Sequence, residues 1–302
     1  MLEKYKSHIR IVSPSGRFDA NLLLARLAEL KKEFHVTYHK LEVDPSWPFT
    51  AGNFKARLEQ LTDALLAPEV DIILSARGGY GASDLLPHLP WAQLKNVKPK
   101  ILVGFSDISA LHSALYTLLG WPSIHGPMPG TELWEKNDPG DVACLLGLLK
   151  GSQSQVEWGI DCLNRNLPPN LSGWSFGGCL AVLTNLIGTP YFPKTLHGSI
   201  LFWEDIGEHP NRILRFVNQW SQSRALEGVK GIVLGRFAGC EVPDMCDEAK
   251  LKNEIAVRLD LPVWSTSFFG HCAPNWPLPV GLNLEINNGN LRWNLPVPSQ
   301  TL

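Results

Sequence analysis

The sequence predicts an α/β protein in two parts: an N-terminal doubly wound, mostly parallel sheet domain and a C-terminal mixed α/β domain. Three observations predict it. Short, continuously apolar runs such as "VDIILSA" and "KILVGF" alternate with amphipathic helical patterns through the first half, the mark of strands buried on both faces. Residues 151–172 lose periodicity and gather Gly, Ser, Asn and Pro, which sets a linker between domains at 1–150 and 173–302. Strand and helix patterns then resume and end in a hairpin signal.

In chain order, "HIRIVSPSG" reads as a strand ending in a turn, and "ANLLLARLAELKKEF" follows with apolar residues at helical spacing. "HVTYHKL" alternates as a strand does. "NFKARLEQLTDALLAP" reads as an amphipathic helix stopped by Pro68, "VDIILSA" as a strand and "ASDLLPHL" as a short helix. "KILVGF" and "DISALHSALYTLL" make the next strand and helix. Past the linker, "GGCLAVLTNLIG" suggests a helix closed by Gly188, and "GSILFWED" a buried strand. "PNRILRFVNQWSQS" is a helix with Pro210 in its first turn, "VKGIVLGRF" a strand and "DEAKLKNEIAVRLDL" a helix. "PVWSTSFFGH" reads as a strand ending on Gly270 and His271, and the tail carries an Asn-Gly turn between alternating runs.

Composition narrows the function classes. The 302 residues are 44% hydrophobic and 19% charged, which suits a substantial globular core. A formal charge of −2 leaves no basic footprint for a nucleic acid or an acidic membrane surface. The first residues lack the apolar centre of a signal peptide, and no run reaches the roughly 18 apolar residues of a membrane span, so a cytoplasmic protein is expected. Six scattered cysteines without a C-x-x-C pair suit reduced thiols. No H-E-x-x-H occurs, and His35 and His39 lack a nearby carboxylate trio, so neither metal nor cofactor is expected. The eleven tryptophans read mostly as packing residues.

Ser106 stands where an apolar strand gives way to a helix, the address of a nucleophile elbow. The G-x-S-x-G pattern is half kept, with Gly104 in place and Ile108 where the second glycine belongs. Ser106 reads equally as a turn residue, and Asp107 and Ser109 as helix caps. A serine nucleophile needs a base, and the base needs an acid to orient it. Glu204 and His271 each follow an apolar strand, as Ser106 does, although His271 taken alone also suits a structural role. "ARGGYGAS" supplies glycines whose backbone N–H groups can approach an oxyanion or simply make a tight turn. It is neither a Rossmann fingerprint nor a Walker A loop. Arg77, Gly78, Tyr80 and Trp174 are candidate substrate-binding residues, and Arg77, Arg212 and Arg236 are candidates to grip a terminal carboxylate.

The ordered strings "RGGYGASDLLPHL", "GFSDISALHSAL", "HGPM", "GGCLAVLTNLIGTPYFP", "ILFWEDIGEHPNRILRFVNQW", "GIVLGRF" and "FGHCAPNWPLPVG" resemble the LD-carboxypeptidase family of serine peptidases. The resemblance implies a triad of Ser106 as nucleophile, Glu204 as carboxylate and His271 as general base. It also implies an oxyanion hole from the backbone N–H groups of Gly79 and Asp107. The implied substrate is a murein tetrapeptide or UDP-muramoyl tetrapeptide, cut before its terminal D-alanine in cell-wall recycling, and the implied assembly is a homodimer. Where members commonly read Gly-Gly-Asn, this chain has Gly177, Gly178 and Cys179, which bears on substrate preference. A second subgroup cleaves acyl-nucleotide antibiotics and confers self-immunity, usually in longer chains. A rival of another class is a non-catalytic protein that holds a carboxylate or phosphate at the glycine loop.

Overall fold

The computed structural model describes residues 6–134, 139–164 and 170–296. Strands β1 (His8–Val12), β2 (His35–Tyr38), β3 (Ile72–Ser75), β4 (Ile101–Gly104) and β5 (Ser123–His125) form a parallel sheet in the order β5-β4-β3-β1-β2. Helices α1 (Ala20–Glu33), α2 (Phe54–Leu66), α3 (Ala82–Leu85), α4 (Trp91–Leu94) and α5 (Ser109–Leu119) connect these strands, and α6 (Pro139–Lys150) follows them. Asp19 and Asn53 cap α1 and α2 by accepting from backbone N–H groups, and Gly120 ends α5 in the left-handed conformation. All four residues of β3 are buried, as the unbroken apolar run predicts.

The second sheet uses β6 (Gln155–Gly159), β7 (Asp161–Cys162), β8 (Asn170–Cys179), β9 (Ser199–Ile206), β10 (Gly231–Ala238), β11 (Val263–Ser265), β13 (Asn283–Asn287) and β14 (Asn290–Asn294). Its order is β6-β14-β13-β8-β9-β10-β11-β7, with β8 to β11 parallel to one another. Helices α7 (Leu180–Thr184), α8 (Pro210–Gln222) and α9 (Glu248–Arg258) follow β8, β9 and β10. Asn287 pairs with Asn290, so the hairpin turns on Asn288 and Gly289, whose φ of 47° and 80° suit the primed turn that an Asn-Gly pair favours.

Three sequence expectations change here. The stretch 151–172 contains β6 and β7, separated by Ile160 alone, which pair with opposite edges of the second sheet and so draw those edges together. Alternation in "QVEWG" is a true strand signal hidden among polar residues, and residues 165–169 of this stretch lie outside the described part. The expected helix at "GGCLAVLTNLIG" begins only at Leu180, because Gly177 and Gly178 continue β8. A Cβ at Gly177 would lie 2.0 Å from the Phe202 carbonyl oxygen, so close pairing with β9 demands glycine there. The expected strand at "PVWSTSFFGH" stops at Ser265, and the loop beyond carries His271.

That loop positions the site. It leaves β11 in the second sheet and enters β12 (Leu278–Val280), which pairs antiparallel with β5 at the edge of the first sheet. Residues 278–280 therefore complete the N-terminal sheet although they lie deep in the second half of the chain. The excursion carries His271 toward β4 and the residues that follow it.

Candidate active site

Ser106 lies two residues past the end of β4 with φ +64°, a left-handed backbone that a non-glycine residue adopts only under strain. A short 3₁₀ turn over Ser106–Ile108 then leads into α5. The half-kept elbow motif has a packing reason. A Cβ on Gly104 would lie 2.9 Å from Ile108 Cγ2, so the single glycine makes room for the isoleucine two residues past the serine.

The glycine loop lies against this turn. A Cβ on Gly78 would meet Ser106 Cβ at 2.7 Å and Oγ at 2.9 Å, so only glycine lets the loop come this close to the hydroxyl. Gly79 adopts φ +109° and is exposed. Among the described residues its N–H has no hydrogen-bond acceptor, and Asp107 lies in a first helical turn, where N–H groups lack intrahelical partners.

The Asp107 side chain clamps the loop. Its Oδ2 accepts from Ser15 Oγ at 2.6 Å and from the Ala82 N–H at 2.8 Å, while Gly16 N–H donates to the Gly78 carbonyl at 2.9 Å. Burial pushes the Asp107 carboxyl up, and these hydrogen bonds oppose that push. Buried Arg57 adds a second brace, donating to the Pro14 carbonyl at 2.5 Å and the Gly81 carbonyl at 2.9 Å. Helix-cap reasoning misses both roles, because each joins segments far apart in the chain.

From the second sheet, Glu204 lies near the end of β9, fully buried, and accepts from His271 Nδ1 at 2.6 Å. His271 Nε2 is buried and has no hydrogen-bond partner among the described residues. The His271 ring packs edge-on against Phe105, with centroids 5.0 Å apart, beside Ser106. Burial alone would lower the His271 pKa, but the Glu204 charge and hydrogen bond, helped by the Asp205 charge, outweigh it and leave the pKa raised. Neighbouring Asp205 has its pKa pushed up to about 6, by burial first and then by the Glu204 charge. Its Oδ2 accepts from the Ala181 N–H at 2.8 Å at the start of α7.

Cys179 pairs in register with Glu204, and its N–H donates to Ser109 Oγ at 3.0 Å, which ties β8 to α5. Its thiol is buried beside Asp205 Oδ1, 3.6 Å away, and burial pushes its pKa well up. A hydroxyl on a strained turn, free N–H groups beside it and a carboxylate-held imidazole are the parts of acyl transfer.

Comparison with known proteins gives the family. The sequence matches the LD-carboxypeptidase N-terminal domain over residues 9–126 and the LD-carboxypeptidase C-terminal domain over residues 172–286. The chain belongs to the LD-carboxypeptidase family. It is 31% identical to the murein tetrapeptide carboxypeptidase of Pseudomonas aeruginosa, over 94% of each chain. Among solved structures it matches the muramoyltetrapeptide carboxypeptidase of Oxalobacter formigenes with TM-score 0.81 and 29% identity, covering 95% of this chain and 97% of that one. An MccF-like protein from Bacillus anthracis matches with TM-score 0.81 and 26% identity, covering 96% and 97%.

Within this LD-carboxypeptidase fold, Ser106, Gly78, Gly79 and Asp107 come together on one side, and Glu204 and His271 meet on the other. Arg77 and Tyr80 flank the glycine loop and are exposed, with Arg77 donating to the Arg17 carbonyl at 2.6 Å and Tyr80 to Asp84 Oδ1 at 3.0 Å. Trp174 does not join them. It lies five residues before Cys179 on β8, roughly 16 Å along the strand, where it stacks on Tyr116 at 4.9 Å. Arg212 pairs with Glu208 at 3.0 Å on α8, and Arg236 with Glu248 at 2.9 Å. Among the described residues no three His, Cys, Asp or Glu side chains form a metal set, and no helix is long and apolar enough to cross a membrane.

Proposed function

We propose that this chain is a serine carboxypeptidase that hydrolyses the LD-peptide bond before the terminal D-alanine of a murein tetrapeptide or UDP-muramoyl tetrapeptide. The observation that carries the reading is the buried Glu204–His271 pair, with Nε2 of the ring unpartnered and the ring resting on Phe105 beside Ser106. The murein tetrapeptide carboxypeptidase of Pseudomonas aeruginosa, 31% identical, supports the substrate class.

In this mechanism His271 Nε2 takes the Ser106 proton as Oγ attacks the carbonyl of the dibasic residue's L-centre. The N–H groups of Gly79 and Asp107 receive the oxyanion, and Glu204 stabilises the imidazolium. The imidazolium then protonates the departing amine of D-alanine. Water, deprotonated by His271, cleaves the acyl-enzyme and restores Ser106. Cytoplasmic cell-wall recycling and a homodimeric assembly complete the reading.

A second reading is cleavage of an acyl-nucleotide, the activity that the resemblance implies for its self-immunity subgroup, and the B. anthracis neighbour is an MccF-like protein. Incubation of the protein with murein tetrapeptide, and separately with an aminoacyl sulfamoyl adenosine, decides between them. Free D-alanine from the tetrapeptide is the expected result. Turnover of the nucleotide alone supports the second reading, and turnover of neither leaves the non-catalytic binding protein.

A further inference from the structure

Behind the Glu204–His271 pair, Oε1 of Glu204, both ring nitrogens of His125 and Nδ2 of Asn275 are buried without a hydrogen bond of good geometry among the described residues, although the Asn275 side chain lies close enough to His125 to favour its charged form. Buried polar atoms are almost always paired, so orphans gathered in one place call for an explanation. His271 Nε2, also orphaned, has one in the Ser106 proton; the other four atoms do not.

Their placement is specific. His125 ends β5 in register with Gly104 of β4, beneath the Ser106 turn. Its ring packs on Phe105 at 5.7 Å and on Phe202 at 5.5 Å. Phe202 shares its strand face with Glu204, two residues on, and Phe105 also touches His271. His125 is thus enclosed by the rings that border the pair. Asn275 is fully buried, and its Oδ1 accepts from the N–H of Gly270, next to His271, at 3.2 Å.

We propose that His125 and Asn275 are positioning residues for the Glu204–His271 pair. Asn275 fixes the Gly270 backbone through Oδ1 and donates from Nδ2 to one ring nitrogen of His125. The other ring nitrogen, carrying its proton, donates through one internal water to Oε1 of Glu204. A neutral imidazole has one donor and one acceptor, which matches this chain of groups. Burial pushes His125 down to about 4, so it is neutral near pH 7. The titratable groups that face it are Glu204 from β9, His271 from the loop and His112 from α5, itself pushed down to about 3 by burial. The inference rests on the serine-peptidase reading of the site.

His125→Phe keeps the ring packing and removes both nitrogens, while His125→Gln keeps an amide donor. With D-alanine release as the assay, His125→Phe is expected to lower kcat at least about tenfold and to leave KM within about twofold. The acid limb of kcat/KM moves to higher pH, because a Glu204 with less of its charge offset holds the imidazolium more strongly. His125→Gln recovers part of both effects. A readout free of substrate is the far-downfield proton NMR signal of His271 Nδ1–H, expected to broaden or vanish in His125→Phe. A folded His125→Phe, checked by circular dichroism, with unchanged kcat and acid limb overturns the proposal, as does a fall in kcat without the pH shift. If the wild-type protein releases no D-alanine, the function reading fails and the Nδ1 proton decides alone: an unchanged signal in His125→Phe overturns the inference, and its loss supports it.

Discussion

His271 and Phe105 meet edge to face at 5.0 Å, so a histidine carried by the β11–β12 loop rests on the residue that precedes Ser106. The contact joins the two sheets at the candidate site. It depends on β12 crossing to pair with β5, which no catalytic motif signals, and on Gly104 of the elbow motif leaving space for Ile108.

The Glu204 charge sets the working pH. Burial lowers the His271 pKa and Glu204 raises it past the ordinary value of 6.5, so the wild-type acid limb is expected above that value. In Glu204→Gln burial is opposed only by the smaller pull of the Asp205 charge, so the His271 pKa drops from its wild-type value while kcat falls on the order of 10²- to 10⁴-fold. A pH-rate profile beside an NMR titration of His271 checks both shifts.

Gly78→Ala tests the fit of the loop against the nucleophile. The added Cβ would fall 2.7 Å from Ser106 Cβ, so loop and turn must separate. The expected cost is on the order of 10²-fold in kcat, since misplacement by about 1 Å has that effect. Steady-state kinetics and a melting curve on the same sample separate this loss from unfolding.

Asp107→Ala removes the acceptor of both the Ser15 hydroxyl and the Ala82 N–H. Two buried donors are left unpaired, at about 1–3 kcal/mol each. Urea unfolding is expected to show the loss, and Asp107→Asn, which keeps a carbonyl acceptor, to lose less.

Trp174→Phe is expected to leave kcat and KM within about twofold, because the indole lies in mid-strand on β8, five residues before Cys179, which pairs with Glu204. The stacking with Tyr116 and the bond from Nε1 to the His197 carbonyl make the loss one of stability, about 1–3 kcal/mol. A rise in KM would return Trp174 to the substrate site.

Acid is expected to weaken the fold through two histidines. His112 and His125 are buried, with pKa values pushed down to about 3 and about 4. The unfolded chain binds their protons below pH 6.5 and the folded chain does not, so stability falls as pH drops from 6.5 toward 4. His125 alone contributes about 3 kcal/mol over that window, from a shift of 6.5 to about 4. Asp205, pushed up to about 6, works the other way and gains stability on protonation. Urea midpoints at pH 7, 5.5 and 4.5 measure the net slope.

Local periodicity makes β1 to β4 and the longer helices between them legible, because buried parallel strands and capped amphipathic helices each carry a pattern inside a short window, whereas β5 and α4 are too short to carry one. β6 and β7 are hidden because their pairing partners lie more than 100 residues away. The crossing of β12 is equally silent, since three apolar residues before a hairpin resemble its first strand. Ser106, Glu204 and His271 are visible as polar residues following apolar runs. The clamp roles of Asp107, Arg57 and Ser109 and the enclosure of His125 depend on tertiary distance alone. Trp174 packs on Tyr116 from β8, a placement that its residue type alone does not reveal.

The central claim, that Ser106 attacks with His271 as its base, is tested most directly by comparing wild-type protein and Ser106→Ala for free D-alanine released from murein tetrapeptide. The account predicts steady release by the wild type and none above background by the variant, with both proteins equally folded. Release that persists in Ser106→Ala would contradict it.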